Sequence, residues 1–323
     1  MNTQNDKNTP ADSQNDVNTM LANRVKKNMR RLKGWVKQNN ITCYRIYNLD
    51  IPQIPLIVDW YENRLHCSIL LKRDAEPEQT LKMQKCISAL AEHLNIKDSD
   101  VFIKHRTRSE GGSQYGQLKN REHTFTVSEG GHKFIVNLSD KVDTGLFLDH
   151  RTTRKMVEQE SKGKRVLNLF AYTGSFTVYA AAGGAATTAT VDLSNRYLEA
   201  AKENMQLNGF TGFNHSFIKG DVLSMLKNRD AFGRFDLIIL DPPTVSTSKV
   251  MEQKLVIQND HKWMINESLN LLARGGVLYF STNYKNFKLS DDIAASHIEE
   301  ITDRTVPPDF FYSRPHRCYR ILK

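Results

Sequence analysis

No stretch of the chain approaches the roughly 18 consecutive apolar residues that a membrane-crossing helix requires. The opening MNTQNDKNTPADSQNDVNTM has neither an apolar core nor an arginine-rich amphipathic pattern, so neither export nor a transit peptide is expected. Cysteine is scarce. Cys43, Cys67, Cys86 and Cys318 stand far apart with no Cys-x-x-Cys pair, which argues against a disulfide framework and against a zinc site. No metal is expected, and a reducing cytoplasm with no membrane partner fits these absences. Acid is also missing from one long segment. Between Arg24 and Arg45 stand Lys26, Lys27, Arg30, Arg31, Lys33 and Lys37, with no Asp or Glu among them. In a chain of formal charge +9 such a segment is what a polyanion binder presents, and a solvated helix face has the same composition.

What is present suffices for two folded domains: 323 residues, 39% hydrophobic and 25% charged. Residues 1–20 are rich in Asn, Asp, Gln and Thr and read as a disordered polar tail. Leu21, Val25, Met29, Leu32 and Val36 recur at helical spacing and predict an amphipathic basic helix. ITCYRIYNL, PLIVDWY and RLHCSILL read as strands, and a helical period returns over 78–94. VFIKHRT, HTFTVSE and KFIVNLS read as further strands around a polar loop over 109–120. Residues 21–142 are therefore expected to form a small, basic, mixed α/β domain. From Arg165 apolar runs alternate with helical patterns: RVLNLF, ATTATVD, SFIKGD, FDLIILD and VLYFSTN. This alternation predicts an α/β domain over 143–323, built on a parallel sheet covered on both faces.

In such sheets the ligand lies beyond the carboxyl ends of the strands. The first strand runs into NLFAYTGS (168–175), which is neither a Gly-x-Gly-x-x-Gly fingerprint nor a Walker A loop, so a dinucleotide or triphosphate is not expected. The second strand ends at Asp192, Leu193 and Ser194, where a carboxylate suits the two hydroxyls of a ribose. The third ends at Gly220, Asp221 and Val222, which brings an acid or an amide toward an exocyclic amine. The fourth ends in Asp241, Pro242, Pro243 and Thr244. Its prolines fix φ and remove two N–H donors, leaving rigid carbonyl acceptors for a base edge. Any one of these groups is also what a helix cap or a turn supplies. Together, beyond four successive strands, they predict one crevice.

The segments DTGLFLDHR (143–151), VLNLFAYTGSFTVYAAAGGA, TVDLSNRYLEAAKENMQLNG, DLIILDPPTVSTSK and DRTVPPDF resemble the RlmK-type rRNA guanine-N7 methyltransferases. These are best known as the C-terminal module of the fused RlmKL enzymes, within the class I S-adenosylmethionine-dependent superfamily. The resemblance runs from about Ala22 to the C-terminus and takes in NRVKKNMRRLKGW, CYRIYN and FIKHRTRSEGGSQYGQL. It implies a Rossmann-like methyltransferase domain preceded by an RNA-binding domain, S-adenosyl-L-methionine as cofactor, and methylation of a guanine at N7 in 23S ribosomal RNA or in a large-subunit assembly intermediate. Cofactor contacts are implied at Phe147, Leu148, Asp149 and Arg151, at Asn168, Phe170, Thr173 and Gly174, at Asp192, Leu193 and Ser194, at Asp221 and Val222, and at Asp241. The catalytic end falls on Asp241, Pro242, Pro243 and Thr244. Arg151 would offer its fork to the cofactor's carboxylate, the alternative being an ion pair with Asp149 or Glu158. Phe147 and Phe170 would flank the cofactor or belong to the core. The fused enzymes carry a second methyltransferase with a THUMP domain ahead of this module, and the RlmI-type relatives carry a PUA domain. Neither is read in this sequence, so docking is expected to rest on the basic domain or on a separate RNA-docking protein.

Guanine N7 has a lone pair and no proton, so its methylation needs no general base. Cytosine C5 methylation would need a cysteine nucleophile. The strand end where one is expected reads Phe280, Ser281, Thr282 and Asn283, and Cys318 reads as a buried structural thiol. Methylation of an exocyclic adenine amine usually follows a Pro-Pro turn with an aromatic, and Thr244 stands there instead. Methylation at C5 or at an exocyclic amine, and a noncatalytic RNA-binding or RNA-remodelling role for the same fold, are the alternatives. A base within structured RNA would be extruded, with segment 244–249 and Tyr115 expected to grip it.

Overall fold

Leu21, Val25 and Leu32 are buried along one face of a long helix, α1 (Pro10–Gln38), while Lys26, Lys27, Arg30, Arg31, Lys33 and Lys37 are exposed on the others. The computed structural model describes residues 10–72, 76–105, 124–139, 143–229, 232–246, 254–310 and 313–323. They form two compact units, Met1–Glu110 and Gly111–Lys323. In the first, the strands β1 (Cys43–Asn48), β2 (Leu56–Tyr61) and β3 (Leu65–Ile69) form an antiparallel meander. After α2 (Pro77–His93), β4 (Val101–His105) joins β3 in parallel, as a helical crossover allows. Buried Asn28 ties α1 to β1 and the turn after it, donating to the Ile46 carbonyl at 3.0 Å and to Asp50 Oδ2 at 2.9 Å.

The helix begins at Pro10, so residues 10–20 are not the disordered tail that their composition suggested. Once the packed turns from Leu21 onward have nucleated a helix, adding upstream residues costs little. Gln14 also donates to Asn18 Oδ1 at 2.8 Å and to Cys86 Sγ at 3.3 Å.

The second unit opens with a hairpin, β5 (Thr124–Glu129) and β6 (His132–Asn137), followed by α3 (Arg151–Glu160). Strand and helix then alternate through β7 (Arg165–Leu169), α4 (Ser175–Ala182), β8 (Thr187–Asp192), α5 (Asn195–Leu207), β9 (His215–Lys219), α6 (Val222–Lys227) and β10 (Phe235–Leu240). A two-residue ribbon, β11 (Val245–Ser246) with β12 (Leu255–Val256), leads into α7 (Ile257–Leu271) and β13 (Leu272–Thr282). The strands β14 (His297–Glu300) and β15 (Arg317–Leu322) follow, with the short helix α8 (Thr302–Thr305) between them. The sheet order is β14-β15-β13-β10-β7-β8-β9. Leu167, Leu169, Ile238, Leu240, Leu278 and Phe280 join one core cluster, and Val166, Leu237, Ile239, Val277 and Tyr279 join another. Apolar residues at successive positions are what a sheet covered on both faces demands.

Two expectations change. The sheet is mixed rather than parallel, because β15 runs antiparallel to both β13 and β14. A reversed strand needs no long crossover helix, and four-residue α8 is too short to serve as one. The hairpin β5–β6, expected in the first domain, belongs to the second unit. Asn204 on α5 accepts from the Ile135 N–H at 2.9 Å, and the Tyr179 hydroxyl on α4 donates to the Glu129 carbonyl at 3.0 Å. The segment 109–120 with Tyr115, and 247–249, lie outside the described residues. No helix of the described residues is long and apolar enough to cross a membrane.

Candidate active site

The strand order reverses between β7 and β10, so their carboxyl ends open a cleft that no crossover fills. The turn leaving β7 forms its floor. Phe170 (φ 56°), Tyr172 (φ 51°) and Gly174 (φ 71°) all occupy the left-handed region, which for the two aromatics is an uncommon conformation. This zigzag points the Tyr172 N–H at Asp192 Oδ2, 2.9 Å away. Asp192 Oδ1 accepts from the Ser194 N–H at 2.8 Å. Burial raises the Asp192 carboxyl above its usual range, against the pull of the Ser194, Tyr172 and Leu193 N–H groups. At Gly174 a Cβ would sit 2.6 Å from Ala201 Cβ and 3.2 Å from Ala201 Cα. Gly174→Ala should therefore destabilise the second unit by about 1–3 kcal/mol from backbone strain alone, read as a lowered melting temperature in a thermal scan.

The cleft is a cavity of about 160 Å³ lined by residues from all four strand ends. Its acids are Asp143, Asp149, Asp192, Asp221 and Asp241. Arg154, also on the wall, gives Nε and Nη2 to Glu129 Oε1 at 2.9 and 2.6 Å. An acidic hollow of this kind favours a cation. Asp241 Oδ1 accepts from the Ser281 hydroxyl at 2.6 Å, and Oδ2 lies 3.6 Å from His150 Nε2. Asp149 Oδ2 accepts from His316 Nδ1 at 3.0 Å. Asp149, His150 and His316 bring one ligand-type atom each within 4.8 Å of one another. The two rings are stacked, 4.3 Å apart and 15° from parallel, so their in-plane lone pairs run side by side and do not converge on one ion.

Of the residues expected from sequence, Phe147, Asp149, Asn168, Phe170, Asp192, Leu193, Asp221, Val222, Asp241, Pro242 and Pro243 line this cleft. Asp221 also caps α6, accepting from the Leu223 N–H and the Ser224 hydroxyl, both at 3.1 Å, so the cap and the crevice position are one residue. Phe147 is 38% exposed rather than core, tilted against Tyr172 at 5.2 Å. Six residues stand elsewhere. Leu148 is buried, Thr173 donates to the Gly145 carbonyl, Gly174 precedes α4, and Ser194 caps α5. The Thr244 hydroxyl donates to Asn283 Oδ1, and it is Asn283 that reaches the cleft. Arg151 is the clearest correction. It is buried between Glu129 Oε2 and Asp309 Oδ2, each 3.4 Å away, and is not among the residues that line the cleft.

His150, Tyr172, Tyr197, Phe176 and Asn283 line the cleft without having been singled out from sequence. Tyr197 had a readable signal, since first-turn residues of a helix following a strand face the strand's carboxyl end. For His150 the local sequence gives too little, because Asp241 and His316, which set its role, come from the turn after β10 and from the segment ahead of β15.

A family model described as S-adenosylmethionine-dependent methyltransferase matches residues 42–316. The chain is 44% identical to the "Ribosomal RNA large subunit methyltransferase K" of Neisseria meningitidis serogroup B, over 94% of this chain and 87% of that protein. It is 46% identical to the "Ribosomal RNA large subunit methyltransferase K/L" of Magnetococcus marinus over 94% of this chain, and spans 42% of that relative's length. Among solved structures, SMU.776 complexed with SAH matches with a TM-score of 0.77, covering 95% of this chain and 82% of that one. At 23% identity that likeness speaks for the fold.

Proposed function

The chain belongs to the S-adenosylmethionine-dependent methyltransferase family, and from that premise we propose that it methylates large-subunit ribosomal RNA at N7 of a guanine. One observation carries the reading: five aspartates and an Asp-Pro-Pro turn meet in the cleft where the strand order reverses. The residues fit the cofactor, which carries a net positive charge and a ribose. When bound, S-adenosylmethionine supplies a methyl group on a cationic sulfur. Asp192 would accept from the ribose hydroxyls, Asp221 and Val222 would flank the adenine, and Phe147 and Tyr172 would cover it at the mouth. Asp241, Pro242 and Pro243 would face the target base.

Guanine N7 would give its own lone pair to the methyl carbon as the carbon–sulfur bond breaks and its electron pair stays with sulfur, so the chain has no proton to remove. Its work is alignment, which can lower a barrier by roughly 7–11 kcal/mol in favourable cases. Positive charge moves onto the purine as the new bond forms, and the Asp241 carboxylate would stabilise it there. All four cysteines are buried, and none lines the cleft. Burial pushes the Cys318 thiol far up, so it is a poor nucleophile although it pairs across the sheet with Ser281, the partner of Asp241. Cys318→Ala should leave methyl transfer largely intact in a labelled-cofactor assay; loss of transfer would revive the C5 reading.

Exposed lysines and arginines of α1 would hold the RNA backbone, and a ribosomal substrate would place this work in the cytoplasm. The deciding experiment incubates the full chain with labelled cofactor and ribosomal RNA from a strain lacking it, followed by nucleoside mass spectrometry. Label in N7-methylguanosine is expected. Label in 5-methylcytidine or in an N-methylated adenosine, or no label, would sink the proposal.

A further inference from the structure

His150 is 5% exposed, stands beside the Asp-Pro-Pro turn, and has no part in the mechanism so far. We propose that it is a positioning residue, an uncharged N–H donor that fixes the Asp241 carboxylate at the methyl-transfer end of the cleft. The inference rests on the role given to Asp241 above and adds the group that sets its orientation.

His150 Nε2 lies 3.6 Å from Asp241 Oδ2 and 3.9 Å from Asp149 Oδ2. Ionised carboxylates only accept hydrogen bonds. A lone pair at Nε2 would therefore confront two acceptors, whereas a proton there has a partner within reach. His150 Nδ1 is buried with no hydrogen-bond partner, which suits the unprotonated nitrogen of that tautomer.

The ring also stays neutral. Burial lowers the His150 pKa below the ordinary imidazole value; Asp241 and Asp149 oppose that shift, while His316 and Arg154 reinforce it. His316 fixes the ring plane by stacking on it at 4.3 Å. His316 is itself held, its Nδ1–H donating to Asp149 and its Nε2 3.0 Å from Thr305 Oγ1. Phe176 closes the edge at 5.8 Å.

Asp241 thus has a bonded donor at one oxygen and a second donor facing the other. Ser281 donates to Oδ1 at 2.6 Å, and His150 Nε2–H faces Oδ2. A separation of 3.6 Å is too long for a hydrogen bond, and catalytic contacts commonly tighten when substrate arrives. Closing by about half an ångström clamps both ends of the carboxylate, which then cannot rotate away from the developing charge. Misplacement of a positioned group by about 1 Å can cost about 100-fold in rate, which sets the expected effect.

The test uses the full chain. His150→Ala should lower kcat by about 10- to 100-fold, with the cofactor Kd and the KM for RNA nearly unchanged. His150→Gln keeps an uncharged N–H donor and should recover most of the loss; a group that had to gain and lose a proton would not be rescued. In the Asp241→Asn background, His150→Ala should cost nothing further, because the two act as one unit. Nitrogen-15 NMR of histidine-labelled chain, with no RNA present, should show His150 as the neutral Nε2–H tautomer. An Nδ1–H tautomer, full additivity with Asp241→Asn, or a glutamine variant as slow as alanine would overturn the proposal. A wild-type chain that left ribosomal RNA unmethylated while showing the Nε2–H tautomer would instead strike the substrate reading.

Discussion

Replacing Asp192 with alanine should weaken S-adenosylmethionine binding by about 100-fold while leaving RNA affinity nearly unchanged. A hydrogen bond to a charged group contributes about 1.5–3 kcal/mol, and each 1.4 kcal/mol is a factor of ten in affinity. Two ribose hydroxyls on one carboxylate would supply that much even if one of them found water instead. The variant also orphans the Tyr172 and Ser194 N–H groups that now donate to the carboxylate at 2.9 and 2.8 Å. Some loss of thermal stability should accompany the loss of affinity, so titration calorimetry belongs well below the lowered melting temperature. Acidification provides a second reading of the same residue. Because burial raises the Asp192 pKa, this carboxyl takes up its proton at a higher pH than an exposed acid does. A protonated carboxyl accepts hydroxyls poorly, so cofactor affinity should be level above that pKa and fall as pH drops through it. Asp192→Asn should remove that step. Unchanged affinity in the alanine variant would mean that the ribose is held elsewhere.

Asp192 was legible because an acid directly after an apolar strand has few places to go: its side chain stands at the carboxyl rim whichever helix follows. The same holds for Asp221 and Asp241, and the order of the strands in sequence supplied the order of the groups around the cleft. Arg151 was not legible. Its partners Glu129 and Asp309 come from a hairpin and from a turn late in the chain, and only the assembled fold shows two acids waiting for it. The same is true of His150, whose meaning depends on Asp241 and His316. Tyr172 was obscured by the left-handed backbone at Phe170 and Tyr172, which breaks the alternation used to judge side-chain direction.

The fold shows a parallel division between local and assembled information. Strand and helix alternation from Arg165 onward was readable because each period is local. The destination of the β5–β6 hairpin was not, since the strand pattern of residues 124–137 states that one face is buried without stating against which core. The answer lies in Asn204 and Tyr179, polar side chains on α5 and α4 that receive the hairpin backbone. The N-terminal turns of α1 show the reverse case. Composition predicted no order there, yet a helix anchored by Leu21, Val25 and Leu32 extends upstream because its nucleus is already formed.

That anchored helix carries the other large expected effect. Replacing Lys26, Lys27, Arg30 and Arg31 with glutamine should flatten the dependence of RNA affinity on salt while leaving cofactor binding as it was. Each phosphate that is no longer neutralised takes about 0.7 off the slope of log affinity against log salt for single strands, and about 0.9 for duplex. Four such phosphates would therefore reduce the slope by about 3, a change visible in a filter-binding series. Glutamine keeps helix propensity and side-chain length, and the apolar face made by Leu21, Val25 and Leu32 is untouched, so the fold of the first unit should survive. Every described residue that lines the cleft belongs to the second unit, which is why calorimetry with S-adenosylmethionine should not register the change. The bland alternative is a solvated helix face. It predicts an unchanged slope with a modest, uniform drop in affinity, as the net charge of the whole chain falls. A slope reduced by about 2 or more thus assigns the phosphate contacts to α1 itself, because a charge merely felt at a distance is screened beyond about 10 Å at 0.1 M salt and releases no counterion of its own.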